Sequence, residues 1–417
     1  MQPRRPSDLF RVPSRFRVFV VIVAAAAVTV SAQQPRTLAV THATVLDVRT
    51  GSFTRDATIV VRGRTIVSVG TTPPPAGAET LDARGRVVLP GLIDAHAHIA
   101  DLAGARTALL SGVTTARSAG VPMFADVALR DIVRSGQLAG PDIMAAGVHL
   151  QPHLDSDVLS DPRLFEFAGG LISPEQIRRA TQVNLDHGVD VIKTSATDRA
   201  GLPDTDPRHF LFDETQLRAV VEAAQRRGIP VATHAHGDEG AANAVRAGVR
   251  SIEHGTFLSE KTLQMMKENN VWFVPTYSAL ADMSDTGGDY DDPGLQIRAR
   301  FMMPQLRVAI QRAIKIGVKF ATGADTEYSR RSVARVSGEI AYLVDAGLSQ
   351  LAAIQAATIG GAELLGIAAK TGALEPGLEA DLIAVDGNPL EHIWVLQNPL
   401  LIMSNGQVVL NALDPSK

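Results

Sequence analysis

"GLIDAHAHIAD", residues 91–101, begins as an apolar strand and then admits Asp94, His96 and His98. Successive side chains of a strand alternate faces, so His96 and His98 point the same way. Two imidazoles converging from one strand end suit a metal ion and suit hydrocarbon badly. A pair of solvated loop histidines is the other reading of this stretch. The rest of the chain has to separate the two.

Upstream, residues 37–88 carry short β-rich runs such as "LAVTHATVLDV" and "ATIVVRGRTIVSVG", punctuated by Gly and Pro. They read as a small antiparallel sheet. Downstream of Gly91 the texture changes to short apolar strands alternating with helical stretches. Strands are expected at 92–99, 114–118, 143–147, 189–194, 230–236, 251–254, 271–276 and 319–325. Helical patterns such as "DETQLRAVVEAAQRRG" and "SEKTLQMMKENN" separate them. Eight strands, each followed by a helix, predict an α/β fold of the (β/α)8 TIM-barrel type. After Lys370 the β texture returns. The expected organisation is a β-sandwich formed by 33–90 and 370–417 together, beside a barrel of 91–369.

The first 32 residues stand apart. Arg4, Arg5, Arg11, Arg15 and Arg17 precede an apolar run from Val18 to Val30, and Val30-Ser31-Ala32 has the small-residue form of a cleavage site. This order predicts a secretory signal peptide at 1–32 and an exported protein, periplasmic or secreted. The apolar run is short for a membrane span, with an uncleaved anchor as the alternative. Residues 1–32 hold five Arg and one Asp. Removing them from 40 basic and 44 acidic residues leaves 35 against 43, a net charge of −8. A mildly acidic protein has no electrostatic reason to bind nucleic acid. Hydrophobic residues make up 45% and charged residues 20%, a globular balance. There is no cysteine, so a metal site would use His, carboxylate or lysine-derived ligands.

Active sites of such barrels lie at the C-terminal ends of the strands. The expected strand ends carry His96 and His98, Lys193, His234 and His236, His254, and Asp325. Five of the eleven histidines fall at three of these ends. Singly, each has a plainer reading. His254 alone reads as a core histidine, Asp325 as a helix N-cap, and Lys193 as the partner of a carboxylate or of an anionic substrate. One metal centre accounts for all of them together. Lysine needs a chemical argument, because its ammonium has no lone pair and its ordinary pKa is about 10.4. Burial beside a cation lowers that value. The neutral amine can then add carbon dioxide to give an anionic carbamate, whose two oxygens can bridge two ions. A pair of metals with a bridging hydroxide is a standard hydrolytic device.

The set His96-x-His98, Lys193, His234, His254 and Asp325 resembles the amidohydrolase superfamily. So do "VVLPGLIDAHAHI", "THAHGDEGAANAVRAGVRSIEHG" and the tail "AATIGGAELLGI…TGALEPGLEADLIAVDGNPL". The likeness is to the imidazolonepropionase-related branch, with its metal-dependent Xaa-Pro and Xaa-Arg dipeptidases and its ochratoxin-cleaving amidases. The resemblance implies two divalent ions, usually zinc. His96, His98 and Asp325 would hold the first, His234 and His254 the second, and an N6-carboxylated Lys193 would bridge them. It implies hydrolysis of a C–N amide bond of a small molecule, a dipeptide or an N-acyl amino acid, by a metal-activated hydroxide. Asp325 would shuttle the proton, and His236 would contact the carbonyl oxygen. A mononuclear cyclic-amide hydrolase or deaminase is the alternative within the superfamily. The segment after His98 is shorter than in such dipeptidases, which predicts a more open mouth.

Further residues have two readings each. His149 and His153, in the loop "GVHLQPHLDSD", either touch substrate or are solvated. Tyr277 either grips a substrate carboxylate or packs. Glu253 should alternate away from His254, toward the helices, and Asp238 reads as a helix N-cap. No stable membrane span is expected once the signal is removed, and a homo-oligomer is compatible with the sequence.

Overall fold

The computed structural model describes residues 36–329 and 332–414. The expected signal peptide at 1–32 lies outside them. Among the described residues no helix is long and apolar enough to cross a membrane.

Both ends of the described residues enter one sheet. Its first part comprises β1 (Thr37–Leu46), β2 (Phe53–Arg62), β3 (Thr65–Gly70), β4 (Glu79–Asp82) and β5 (Val87–Pro90). After a long excursion the chain returns to it. Leu382–Val385 pairs antiparallel with β5, and Leu401–Ser404 and Gln407–Asn411 extend the edge. The sequence suggested a sandwich, whereas hydrogen bonding joins these strands into one continuous eight-stranded sheet. β1 makes this possible, because one edge pairs with β2 while the other is shared between β4 and β5. Alternate residues of these strands, among them Val40, Ile59, Val61, Val88, Leu382 and Met403, form a core of their own.

Between the two visits lie two parallel sheets. One holds β6 (Leu92–Ala97), β7 (Val113–Ser118) and β8 (Asp142–Met144). The other holds β9 (Ile192–Ser195), β10 (Val231–Ala235), β11 (Ser251–His254) and β12 (Trp272–Val274). Backbone bonds run between the sheets at both margins. On one side Asp190 N donates to Ala145 O at 2.8 Å and Leu150 N to Lys193 O at 2.9 Å. On the other, residues 319–325 lie between β12 and β6. Phe273 N donates to Lys319 O at 2.9 Å, Ala95 N to Thr322 O at 2.8 Å and Asp325 N to His96 O at 2.7 Å.

Residues 319–325 occupy the place expected for the last strand, yet they form only an isolated bridge, Phe273 to Phe320. Two local features explain this. A Cβ on Gly323 would fall 2.6 Å from His96 Cβ, so only glycine allows this close approach. Asp325 then turns into the left-handed region at φ 50°.

The sequence programmes the intervening helices through their first turns. After β6 comes α1 (Leu102–Leu110), capped by Asp101, and after β7 comes α2 (Ala125–Arg134). α3 (Pro174–Asp186) and α4 (Glu214–Gln225) follow β8 and β9, each opened by a capping box, Ser173 with Gln176 and Asp213 with Gln216. α5 (Asp238–Ala247) follows β10. Its N-cap is Gly237, so Asp238 stands one position later than expected. The Asp238 carboxylate instead accepts from Ser259 N at 2.7 Å. α6 (Glu260–Glu268) follows β11, and α7 (Tyr277–Ser284) and the long α8 (Pro293–Ile316) follow β12. Apolar faces such as Leu217, Val220, Val221 and Ala224 of α4 pack on the strands.

Candidate active site and metal centre

The C-terminal ends of the parallel strands open into a cavity of about 1130 Å³. His96, His98, Lys193, His234, His254 and Asp325 all line it, as do His236 and His149. His153 is exposed and is not part of the lining. Tyr277 does not reach it either. Its ring stacks on Tyr342, centroids 5.2 Å apart, under the Arg307 guanidinium, which is the packing reading of that residue.

Hydrogen bonds fix which nitrogen of each imidazole is free. His96 Nδ1 is 2.8 Å from the Glu253 carboxylate and His98 Nδ1 is 2.8 Å from Gly120 O. These partners only accept, so both Nδ1 atoms carry the proton and both Nε2 atoms offer a lone pair. His234 is held the other way round, its Nε2 donating to Asp198 O at 3.0 Å, which frees Nδ1. The Thr276 hydroxyl donates to Pro275 O at 2.7 Å and therefore accepts from His254 Nδ1 at 2.7 Å, which frees Nε2.

Two of the free lone pairs meet on one carboxylate. His98 Nε2 is 3.0 Å and His96 Nε2 is 3.3 Å from the same Asp325 oxygen. Two lone pairs facing a carboxylate oxygen repel unless a cation lies among them, so the donor set fits a metal. Among the described residues, two groups that could hold a metal have their donor atoms within 4.8 Å of one another: His96, His254 and Asp325, and His234, His236 and His254. Both contain His254, so the two clusters adjoin.

The protonation states suit ligands. Burial drives His96 down to about 4 and His236 to about 3, and it drives His234 and His254 well below the ordinary imidazole range. Burial by itself would raise Asp325, but His96, His98 and His254 hold its carboxyl well below the usual range. Neutral imidazoles and an ionised carboxylate are the forms that bind metal. Lys193 is 1% exposed with Nζ 3.2 Å from His96 Nε2. Burial lowers its pKa to about 8, against the opposing pull of Glu253 and Asp325.

Glu253 overturns the alternation argument. It faces inward, fully buried, and contacts His96 and the Arg117 guanidinium, the latter at 2.7 Å. Ser251, two residues earlier on the same face, also reaches Glu253 at 2.5 Å. The alternation fails because His254 adopts φ 75°, a left-handed conformation that swings its imidazole inward as well. Burial raises the Glu253 carboxyl, but Arg117 and the His96 hydrogen bond bring it down to about 2. The sequence did contain a signal for this pair: Arg117 and Glu253 are opposite charges inside two apolar strands, and buried charges need partners.

Other wall residues carry no sequence pattern. Tyr290 and Arg199 come from the segments after β12 and β9, and Thr256 holds His236 Nδ1 at 2.8 Å.

Comparison with known proteins agrees with this geometry. Residues 87–409 match the model of the amidohydrolase family. The chain is 28% identical over 396 residues to the ochratoxinase of Aspergillus niger, covering 84% of this chain and 81% of that protein. It is 27% identical over 371 residues to the imidazolonepropionase of Streptomyces griseus subsp. griseus, covering 81% and 88%. The crystal structure of a Xaa-Pro dipeptidase with bound methionine in the active site superposes with a TM-score of 0.81, at 30% identity over 90% of this chain and all of that one. The chain belongs to the amidohydrolase family, and it is a hydrolase of carbon–nitrogen bonds.

Proposed function

We propose that this protein is an exported, binuclear metal-dependent amidohydrolase that cleaves the amide bond of a dipeptide or an N-acyl amino acid. The observation that carries the reading is the convergence of four free imidazole lone pairs, one carboxylate and one buried lysine on a single cavity. We read the two parallel sheets and residues 319–325 as a closed (β/α)8 barrel beside the sheet built by the chain's two ends. The names of the Xaa-Pro dipeptidase and the ochratoxinase support an amide substrate.

His96, His98, His234, His254 and Asp325 would hold two divalent ions, zinc by preference. The donor set of imidazole and carboxylate suits that metal. When bound, the ions lower the pKa of a water and polarise the scissile carbonyl. The residues of the chain do the rest. Lys193, whose ammonium burial makes easier to deprotonate, would give up one proton and, as the neutral amine, add carbon dioxide with loss of a second to give an anionic carbamate. Asp325 takes the proton of the attacking water and returns it to the leaving nitrogen. His236, held through Nδ1 by Thr256, points its other nitrogen at the oxyanion. His149, fixed by Ser195 at 2.9 Å, borders the substrate.

A mononuclear cyclic-amide hydrolase is the second reading, favoured by the match to imidazolonepropionase. Lys193 separates the two, since one ion needs no bridge. The test is a screen of dipeptides, N-acyl amino acids and cyclic amides with the zinc-loaded protein. Release of a free amine from the linear substrates is expected. Turnover confined to cyclic amides would replace this reading with the second.

A further inference from the structure

Another cavity, of about 490 Å³, opens on the eight-stranded sheet and shares no lining residue with the cavity of the metal centre. That volume lies in the range of small-molecule sites. The turn between β4 and β5 builds one wall. Arg84 and Gly85 both adopt the left-handed region there, at φ 53° and 77°. Asp82 Oδ1 accepts from Arg84 N at 2.8 Å, and Arg86 N donates to Ala83 O at 3.0 Å. β1 grips the same turn. Gly85 N donates to His42 O at 2.7 Å, Thr44 N to Arg86 O at 2.9 Å, and the Thr44 hydroxyl to Gly85 O at 3.0 Å. With its backbone fixed in this way, the turn delivers Arg84 and Arg86 to one cavity. Arg55 and Phe53 enter it from β2. Val385 pairs with Val87 of β5, which brings in the turn that follows, Asp386-Gly387-Asn388.

Three guanidiniums thus line the cavity, and the carboxylates near them are unequal to that charge. Asp414 is committed to Arg84 at 3.1 Å, and Asp56 to His42 at 2.8 Å. Asp386 is the one carboxylate in the lining. Its side chain is 81% exposed, and its Oδ1 stands 4.0 Å from Arg86 Nε, beyond hydrogen-bond reach. An exposed pair of this kind is weak and easily displaced. Arg86 Nε is itself buried and has no hydrogen-bond partner, so a donor that water cannot reach lacks its acceptor. Arg55 makes no ion pair or hydrogen bond among the described residues. Two guanidiniums are therefore open, and their planar forks match the oxygens of a phosphate. A phosphate monoester carries about −1.5 to −2 at pH 7, which answers two cations where a carboxylate answers one. A bare phosphate would leave most of the volume unfilled, and Phe53 offers apolar surface for the remainder of a larger molecule.

We propose that this cavity binds a small organic anion, a phosphate ester on an apolar or aromatic body, with Arg55 and Arg86 on the phosphate and Phe53 against the body. The site is separate from the metal centre and does not depend on the reaction proposed above.

The experiment titrates the zinc-loaded protein by calorimetry with phenyl phosphate, inorganic phosphate and benzoate. The variants are Arg55→Met, Arg86→Met and Asp386→Asn, with Arg226→Met at the end of α4 as a control for net charge outside the cavity. Phenyl phosphate is expected to bind more tightly than either other probe. Arg55→Met and Arg86→Met should each weaken it about ten- to a hundredfold, the usual effect of losing a hydrogen bond to a charged group. Asp386→Asn should tighten it about two- to fivefold, because the competing carboxylate is removed. This exposed change keeps the test decisive if Arg86→Met does not fold. Arg226→Met should leave binding unchanged, and none of the four should alter turnover. Phenyl phosphate that does not bind, or binds equally to wild type, Arg55→Met and Arg86→Met, overturns the site; the second result would place the ligand on the metal ions. An equal loss in Arg226→Met would reduce the effect to overall charge and overturn it too. Benzoate binding as tightly as phenyl phosphate overturns the phosphate assignment, and inorganic phosphate doing so overturns the organic body.

Discussion

Glu253 Oε2 lies 2.8 Å from His96 Nδ1, joining two strand ends 157 residues apart in sequence. Because a carboxylate only accepts, this contact sets the tautomer of His96 and aims its Nε2 at Asp325 and Lys193. The other Glu253 oxygen neutralises Arg117, itself bound to Ala95 O at 2.5 Å and to the Ser251 hydroxyl at 3.1 Å. One buried carboxylate therefore stabilises the strands and orients the candidate ligand His96.

Glu253→Gln should consequently weaken metal binding by about 10- to 100-fold, the usual loss when the partner of a ligating histidine is altered. It should also destabilise the fold, since a buried ion pair that loses one member costs about 3–5 kcal/mol. Zinc affinity by chelator competition and thermal unfolding with and without zinc measure the two effects separately. Wild-type zinc affinity in the variant would remove Glu253 from the centre.

Asp325→Asn tests the proton shuttle. Asn keeps an oxygen for the ion and cannot accept a proton, so much of the metal should remain. Turnover should fall by about 10²–10⁴, the typical contribution of a general base. Metal content and single-turnover rate are the readouts. Near-normal turnover would give the proton role to another group.

How much of this was legible in the chain depends on what each residue's neighbours are. That His96, His98, His234, His254 and Asp325 share one cavity was readable because strand ends are periodic. The strand positions 92–99, 114–118 and 251–254 followed from the same apolar runs, and Leu92–Ala97, Val113–Ser118 and Ser251–His254 are strands in the structure. The inward turn of Glu253 was not readable, because it depends on a left-handed residue at a non-glycine position. The missing regularity at 319–325 has the same origin at Asp325. Arg199 and Tyr290 sit on loops whose placement comes from Arg298 and Gly201, contacts between segments far apart in sequence. No local pattern encodes such contacts.

Lys193 supplies the sharpest chemical contrast. If the working group is a carbamate, the lysine stem only positions it. Lys193→Ala should then lose activity and recover part of it with formate or acetate, which can enter the vacated slot. Lys193→Arg should stay inactive with or without added acid, because guanidinium remains protonated and only donates. An active Arg variant would show that this position binds an anion rather than becoming one.

The central claim, two ions acting together in one cavity, is tested most directly by elemental analysis of fully active enzyme during stepwise metal withdrawal and return. The account predicts two divalent ions per chain at full activity, loss of turnover as they are chelated, and recovery only as the second is restored. Full activity with one ion per chain, or with none, would contradict it.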